Sequence, residues 1–113
     1  MPIFDKKVLD KLKETVGAET ACEIIDLFFR HTPQRIETVR AGDREATAMA
    51  LHTLKSSAGM LGAIELSELS EKLERLARDE TAEPISPLVG ELEEAYVRVR
   101  GLLQAERRRY GDD

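Results

Sequence analysis

The chain holds a single cysteine, Cys22, among its 113 residues. No internal disulfide can form, so packing alone must hold the fold, and a lone thiol beside Ile24 and Ile25 reads as a small core residue. No apolar run approaches the ~20 residues that cross a bilayer, which excludes a membrane span. The opening Met1-Pro2-Ile3-Phe4-Asp5-Lys6-Lys7 lacks the apolar stretch and cleavage pattern of a secretory signal, and a cytoplasmic location is expected. Aromatic residues make up only 4% of the chain, and no segment alternates with the β-branched and aromatic enrichment of a strand. Positive charge is also scarce: 17 Lys and Arg stand against 22 Asp and Glu, a net charge of −5. Nucleic-acid binding needs a concentrated positive surface, so no nucleic-acid partner is expected. Arg107-Arg108-Arg109 is a local exception. At the end of an apparent helix, these cations complement the negative end of the macrodipole.

What remains is a chain with 42% apolar and 35% charged residues, the balance of a folded domain with a well-solvated surface. Its length fits one domain, 1–113. Helical periodicity recurs along it. A short first helix from about Asp5 to Val16 places Val8, Leu9, Leu12 and Val16 on one side and stops at Gly17. A second starts near Glu19 with Ala21, Ile24, Ile25 and Phe28 at helical spacing. It meets Thr32-Pro33, where proline disfavours helical geometry in the preceding residue and a kink or restart is predicted. Gly42 stops that helix and Asp43 caps the next, which ends near Leu61-Gly62. Ile64 to Arg78 follows, with Leu66, Leu69, Leu73 and Leu76 as its seam and Glu65, Glu68, Glu71 and Glu74 on the solvated side. The last and longest helix opens with Ser86 as cap and Pro87 at its first position. It runs to about Arg108 through Leu88, Leu92, Ala95, Tyr96, Val99, Leu102 and Leu103. The predicted fold is all-α: an up-and-down antiparallel four-helix bundle with an additional short N-terminal helix across one end.

The third helix carries the chemistry. At roughly 100° per residue, Ala48, His52, Lys55, Ser56 and Gly59 fall within about a quarter turn of one another. Thr47, Leu51, Leu54, Ala58 and Leu61 form a second stripe roughly 140° away, which reads as the buried face. His52 therefore points to solvent. A neutral imidazole is a nucleophile near physiological pH and, when exposed, can accept a phosphoryl group without an enclosing cavity. Lys55, one turn on, supplies a positive charge for phosphoryl oxygens. Ala48, Ser56 and Gly59 add little bulk, leaving room for a second protein. Met49 and Met60 flank the stripe as docking contacts or as gap-fillers. His31, near the predicted end of the second helix, complements its dipole and receives no chemistry. A metal site is not expected, because position 49 is Met where a Glu-x-x-His pair would need Glu.

The segment Ala50-Leu51-His52-Thr53-Leu54-Lys55-Ser56-Ser57-Ala58-Gly59-Met60-Leu61-Gly62-Ala63 resembles the signature of histidine-containing phosphotransfer (HPt) domains: alanine, any residue, histidine, two residues, lysine, glycine, serine, alanine. Phe4-Asp5, Phe28-Phe29, Gly42-Asp43 and Leu73-Glu74 fall in the same order as in that family. Ser56 departs from the pattern, standing where the family usually has glycine. The resemblance implies a four-helix bundle in which His52 accepts a phosphoryl group from the aspartyl phosphate of a response regulator receiver domain, or returns it to one, with Lys55 as electrostatic helper. It implies a monomeric phosphocarrier without ATP-binding or autonomous kinase activity, with no cofactor of its own. The Mg²⁺ belongs to the partner receiver. A hybrid sensor histidine kinase is among the partners it implies. Two alternatives are a helical adaptor that binds receivers without carrying phosphate, and a dimerisation fragment of a histidine kinase. Against the second, no acidic residue follows His52, no proline occurs between it and Pro84, and no Gly-rich nucleotide loop is present.

Overall fold

Five α-helices and one short 3₁₀ turn account for the fold in a computed structural model that describes residues 2–112. The helices are α1 (Lys6–Val16), α2 (Ala18–Ala41), α3 (Arg44–Met60), α4 (Ile64–Arg78) and α5 (Val89–Asp112), with the 3₁₀ turn at Ser86–Leu88. Helices α2 to α5 run up and down, each packed against two neighbours in the cyclic order α2, α3, α4, α5. The shared core holds Ile25, Phe28, Ile36 and Val39 from α2, Leu51, Leu54 and Ala58 from α3, Leu66 and Leu73 from α4, and Leu92, Val99 and Leu103 from α5. No helix among the described residues is long and apolar enough to cross a membrane.

Local chemistry sets the helix ends. The Asp5 carboxylate accepts the Lys7 N–H at 3.0 Å and opens α1, and Asp43 accepts the Ala46 N–H at 2.9 Å and opens α3, each satisfying a donor that the first helical turn leaves unpaired. Gly42 takes the left-handed conformation at the end of α2. Gly62 does the same in the tight turn between α3 and α4, with φ +80°. There a Cβ would also lie 2.4 Å from the Asp5 carbonyl oxygen. That closeness lets the Asp5 N–H donate to the Gly62 carbonyl at 2.8 Å, which pins α1 across the end of the α3–α4 pair. The C-terminal end of α5 closes the same end, where the Tyr110 hydroxyl donates to Asp10 at 2.8 Å.

Several predicted boundaries shift. Helix α2 does not restart at Thr32-Pro33 but continues to Ala41 with Pro33 inside it. Proline costs a helix interior about 3 kcal/mol. Ile36 and Val39, beyond it, are buried in register with Phe28 and Thr32, and burying two such side chains returns roughly 3–6 kcal/mol. Packing therefore carries the helix through the proline. As a result His31 lies mid-helix and half-buried, too far from the end to complement the dipole. The 3₁₀ turn contains Ser86 and Pro87, and α5 proper begins at Val89 and extends to Asp112, past Arg108. At 24 residues α5 equals α2 in length. Leu102 is not part of the buried stripe but sits among the exposed apolar residues. Arg109 lies in the last turn of α5, as expected, and also pairs with Glu106; Arg107 instead grips Asp26 of α2 through two hydrogen bonds of 2.6 and 2.8 Å.

Gly62→Ala should lower stability by about 2 kcal/mol, combining the left-handed penalty with displacement of the Asp5 backbone. In thermal denaturation this is a fall in Tm of roughly 10 °C. Gly17 has open space around it, but its φ of 90° and ψ of 160° lie in a region essentially reserved for glycine, so Gly17→Ala should also cost about 1–3 kcal/mol, from backbone strain alone.

Candidate functional site

The site lies halfway along α3, on the edge that meets α4. Leu51 and Leu54 anchor α3 in the core, and the rotation per residue then turns His52 outward, leaving its side chain 58% exposed. Its ring is not free to turn. Nδ1 lies 3.1 Å from the Oε2 atom of Glu74 on α4. An ionised carboxylate only accepts hydrogen bonds, so Nδ1 carries the proton and Nε2 holds the lone pair. The geometry thus selects one tautomer and presents the nucleophilic nitrogen away from α4.

Glu74 is the hub. Its side chain is only 9% exposed, and it faces Lys55 at 3.6 Å through Oε1, while Arg78 donates from Nε to Oε2 at 2.9 Å and forms an ion pair with it through Nη2 at 2.9 Å. Burial is the largest influence on this carboxyl and opposes its ionisation. The hydrogen bond from Arg78 and the electrostatic attraction of His52, Lys55 and Arg78 outweigh it, holding the carboxyl below the ordinary glutamate range. Glu74 was predicted on the solvated side of α4. It is buried instead because it sits beside Leu73 on the flank facing α3, where its neighbours are cations.

The predicted stripe divides in two. Ser56 and Gly59 are exposed beside His52. Ala48 is not: it is 3% exposed. Of the small residues it lies furthest round α3 toward the buried stripe, and its methyl group is too short to reach past Ala77 and Arg78, which border the same shallow surface depression. Ala48 therefore belongs to the floor of the α3–α4 seam rather than to a docking surface. Gly59 has a second duty, since a Cβ there would come 3.2 Å from the Ser67 hydroxyl. That hydroxyl donates to the Lys55 carbonyl at 2.9 Å and braces the helix pair beneath the site. Met49 and Met60 are 64% and 46% exposed, so neither fills a gap in the core.

An exposed nucleophilic histidine, held by a buried carboxylate and flanked by two cations on the flank of a four-helix bundle, is equipped for group transfer between proteins rather than for chemistry in a pocket. The model of the Hpt domain family matches residues 23–102, most of the bundle including His52. The chain belongs to the Hpt domain family. The structure is also similar to the crystal structure of histidine-containing phosphotransfer protein B (HptB) from Pseudomonas aeruginosa PAO1, with a TM-score of 0.85 and 28% sequence identity over 96% of this chain and 97% of that one. A comparison with curated proteins found no match. The Hpt domain described here accordingly has a histidine phosphotransfer role in a phosphorelay. Hpt proteins are phosphocarriers rather than kinases, and they work with the receiver domains of their phosphorelay partners.

Helical periodicity missed Glu74 and Arg78 because it orients each helix separately. The turn between α3 and α4 holds the missing signal. Counting from Gly62, His52 lies ten residues before and Glu74 twelve after, so a hairpin this tight sets the two at nearly the same height. Arg78 follows Glu74 at the i,i+4 spacing of a helical ion pair.

The carboxyl of Glu74 titrates lower in the folded chain than its ordinary value of 4.5. Its ionised form therefore adds stability that is present above that value and lost as pH falls through the folded one. Glu74→Gln should be less stable than the parent at pH 7, with the difference shrinking below about pH 4. Urea denaturation across that range measures it.

Proposed function

We propose that His52 is the phospho-accepting residue of this Hpt domain. Its Nε2 atom attacks the phosphorus of an aspartyl phosphate on a response regulator receiver domain, and a second receiver, or the same one, later takes the group back. The observation that carries this reading is the pairing of a 58% exposed imidazole with a hydrogen bond from Nδ1 to a buried carboxylate. It leaves one nitrogen reactive and outward. Lys55 lies one turn along on the same helix, close enough to exchange Glu74 for the phosphoryl oxygens, and so serves as the electrostatic helper.

Ser56 and Gly59 keep the approach to the ring low, and Met49 and Met60 border it with pliable apolar surface suited to weak, rapidly exchanged partners. Serine in place of the usual glycine at position 56 adds a hydroxyl beside the ring and slightly narrows that approach. The receiver supplies the acidic pocket and Mg²⁺. This chain supplies the nucleophile, the cation and the docking surface, and needs no cofactor, ATP or second copy of itself. It acts as a monomer in the cytoplasm, with a hybrid sensor histidine kinase as one source of the phosphoryl group.

His52→Gln should keep the fold and abolish acid-labile labelling by a phosphorylated receiver; persistent labelling would remove His52 from this role. Lys55→Ala should slow transfer by roughly tenfold, the scale of one charge-assisted contact. Rapid-quench kinetics in both directions provide the check, and unchanged rates would reduce Lys55 to a surface charge.

A further inference from the structure

The hydrogen bond between Nδ1 of His52 and Glu74 bears on the chemistry of the phosphorylated state as well as on the resting tautomer. When Nε2 attacks an aspartyl phosphate, the N–P bond forms while the P–O bond breaks, and the electron pair leaves with the aspartate carboxylate. The ring enters the reaction neutral, with its proton on Nδ1. It emerges as a phosphoimidazolium, still protonated at Nδ1 and carrying a positive charge. An imidazolium in water loses such a proton around pH 6.5. Loss of the proton would leave a poor phosphoryl donor, since cleavage of the N–P bond would then have to expel an imidazolate anion. With the proton kept, the departing group is neutral imidazole.

We infer that Glu74 is a positioning residue that keeps the proton on Nδ1 throughout the transfer cycle, so that phospho-His52 remains an activated phosphoimidazolium and passes its group on without exchanging a proton with solvent. This rests on His52 being the phospho-acceptor. Its support is geometric: the carboxylate oxygen lies 3.1 Å from Nδ1 on a side chain that is 9% exposed. Removing a proton from that position would break an ion pair with a carboxylate largely withdrawn from water, and leave that carboxylate facing a lone pair. The charged groups around the ring agree. Lys55 from α3 and Arg78 from α4 both face the carboxylate, which keeps Glu74 ionised. Arg75 is engaged with Glu71. Glu45, the next acidic residue along the His52 face of α3, is two turns away, a rise of roughly 10 Å.

Forward and reverse transfer then become symmetrical in protons. The nucleophile arrives as neutral imidazole and leaves as neutral imidazole, and Glu74 is the same carboxylate before and after. A glutamine at this position could accept the same hydrogen bond without supplying the charge, or could turn its amide to donate to an unprotonated Nδ1. The substitution Glu74→Gln therefore separates charge from shape.

The test is a pH titration of ¹⁵N-histidine-labelled full-length protein phosphorylated with phosphoramidate, following the Nδ1 resonance of phospho-His52. The parent should hold the Nδ1 proton to at least one pH unit above Glu74→Gln, and its transfer rate to a receiver should stay within about twofold between pH 6 and 8.5. In that window the variant should lose about tenfold for each unit above its own midpoint. Equal midpoints in parent and variant would overturn the inference while leaving His52 as the acceptor. Should Glu74→Gln fail to fold, the parent alone decides, because loss of its proton near pH 6.5 would refute the claim. Absence of any phosphohistidine resonance, with label elsewhere on the chain, would overturn both this inference and the assignment of His52.

Discussion

The carboxylate of Glu74 is the point on which this Hpt domain turns. A negative charge drawn into the seam between two helices is costly unless it is paired. Here it meets an imidazole and an ammonium from α3 and a guanidinium from its own helix. Those contacts offset the cost of burial, and they also decide which nitrogen of the histidine is reactive. Structure and chemistry are therefore coupled through a single group: the interaction that joins α3 to α4 at mid-height also prepares the nucleophile.

The rest of the bundle serves the register of that contact. The stripe of Leu51, Leu54 and Ala58 fixes the rotation of α3, and Leu66, Leu73 and Ala77 fix that of α4. The Ser67 hydroxyl ties the two helices together one layer away. On the outward side of His52 the surface changes character, from paired charges toward α4 to serine, glycine and exposed methionine on the other flank. A partner meeting this face finds a firm polar edge and a soft apolar one. The imidazole stands at the line between them.

Much of this was legible in the sequence. The helical class, the bundle, the cap at Asp43, the span Ile64–Arg78 and the outward turn of His52 all follow from periodicity and stop signals, which are local properties. What the pattern could not supply was the meeting of one helix with another. Ala48 was placed with His52 by azimuth alone, and it is the adjoining end of α4 that covers it. Glu74 was placed with the other glutamates of its helix because its burial is made tolerable by His52 and Lys55 across the seam together with Arg78. Pro33 was read as a break because its local penalty is plain in the sequence, whereas the burial of Ile36 and Val39 that offsets it depends on the partner helices. In each case a tertiary contact outweighed a sound local rule.

The three-residue turn at Leu61-Gly62-Ala63 fixes how far along α4 the partner of His52 falls, while α1 is fastened to the same turn through Gly62. One added residue there would rotate the following helix by roughly 100° and present a different side chain to the imidazole. The connection at the opposite end, residues 79–88 between α4 and α5, bears no such burden, because it joins helices whose register does not pass through the reactive ring. Length variation is thus affordable at one end of the rod and ruinous at the other, and loop grafts or tags belong only at the former.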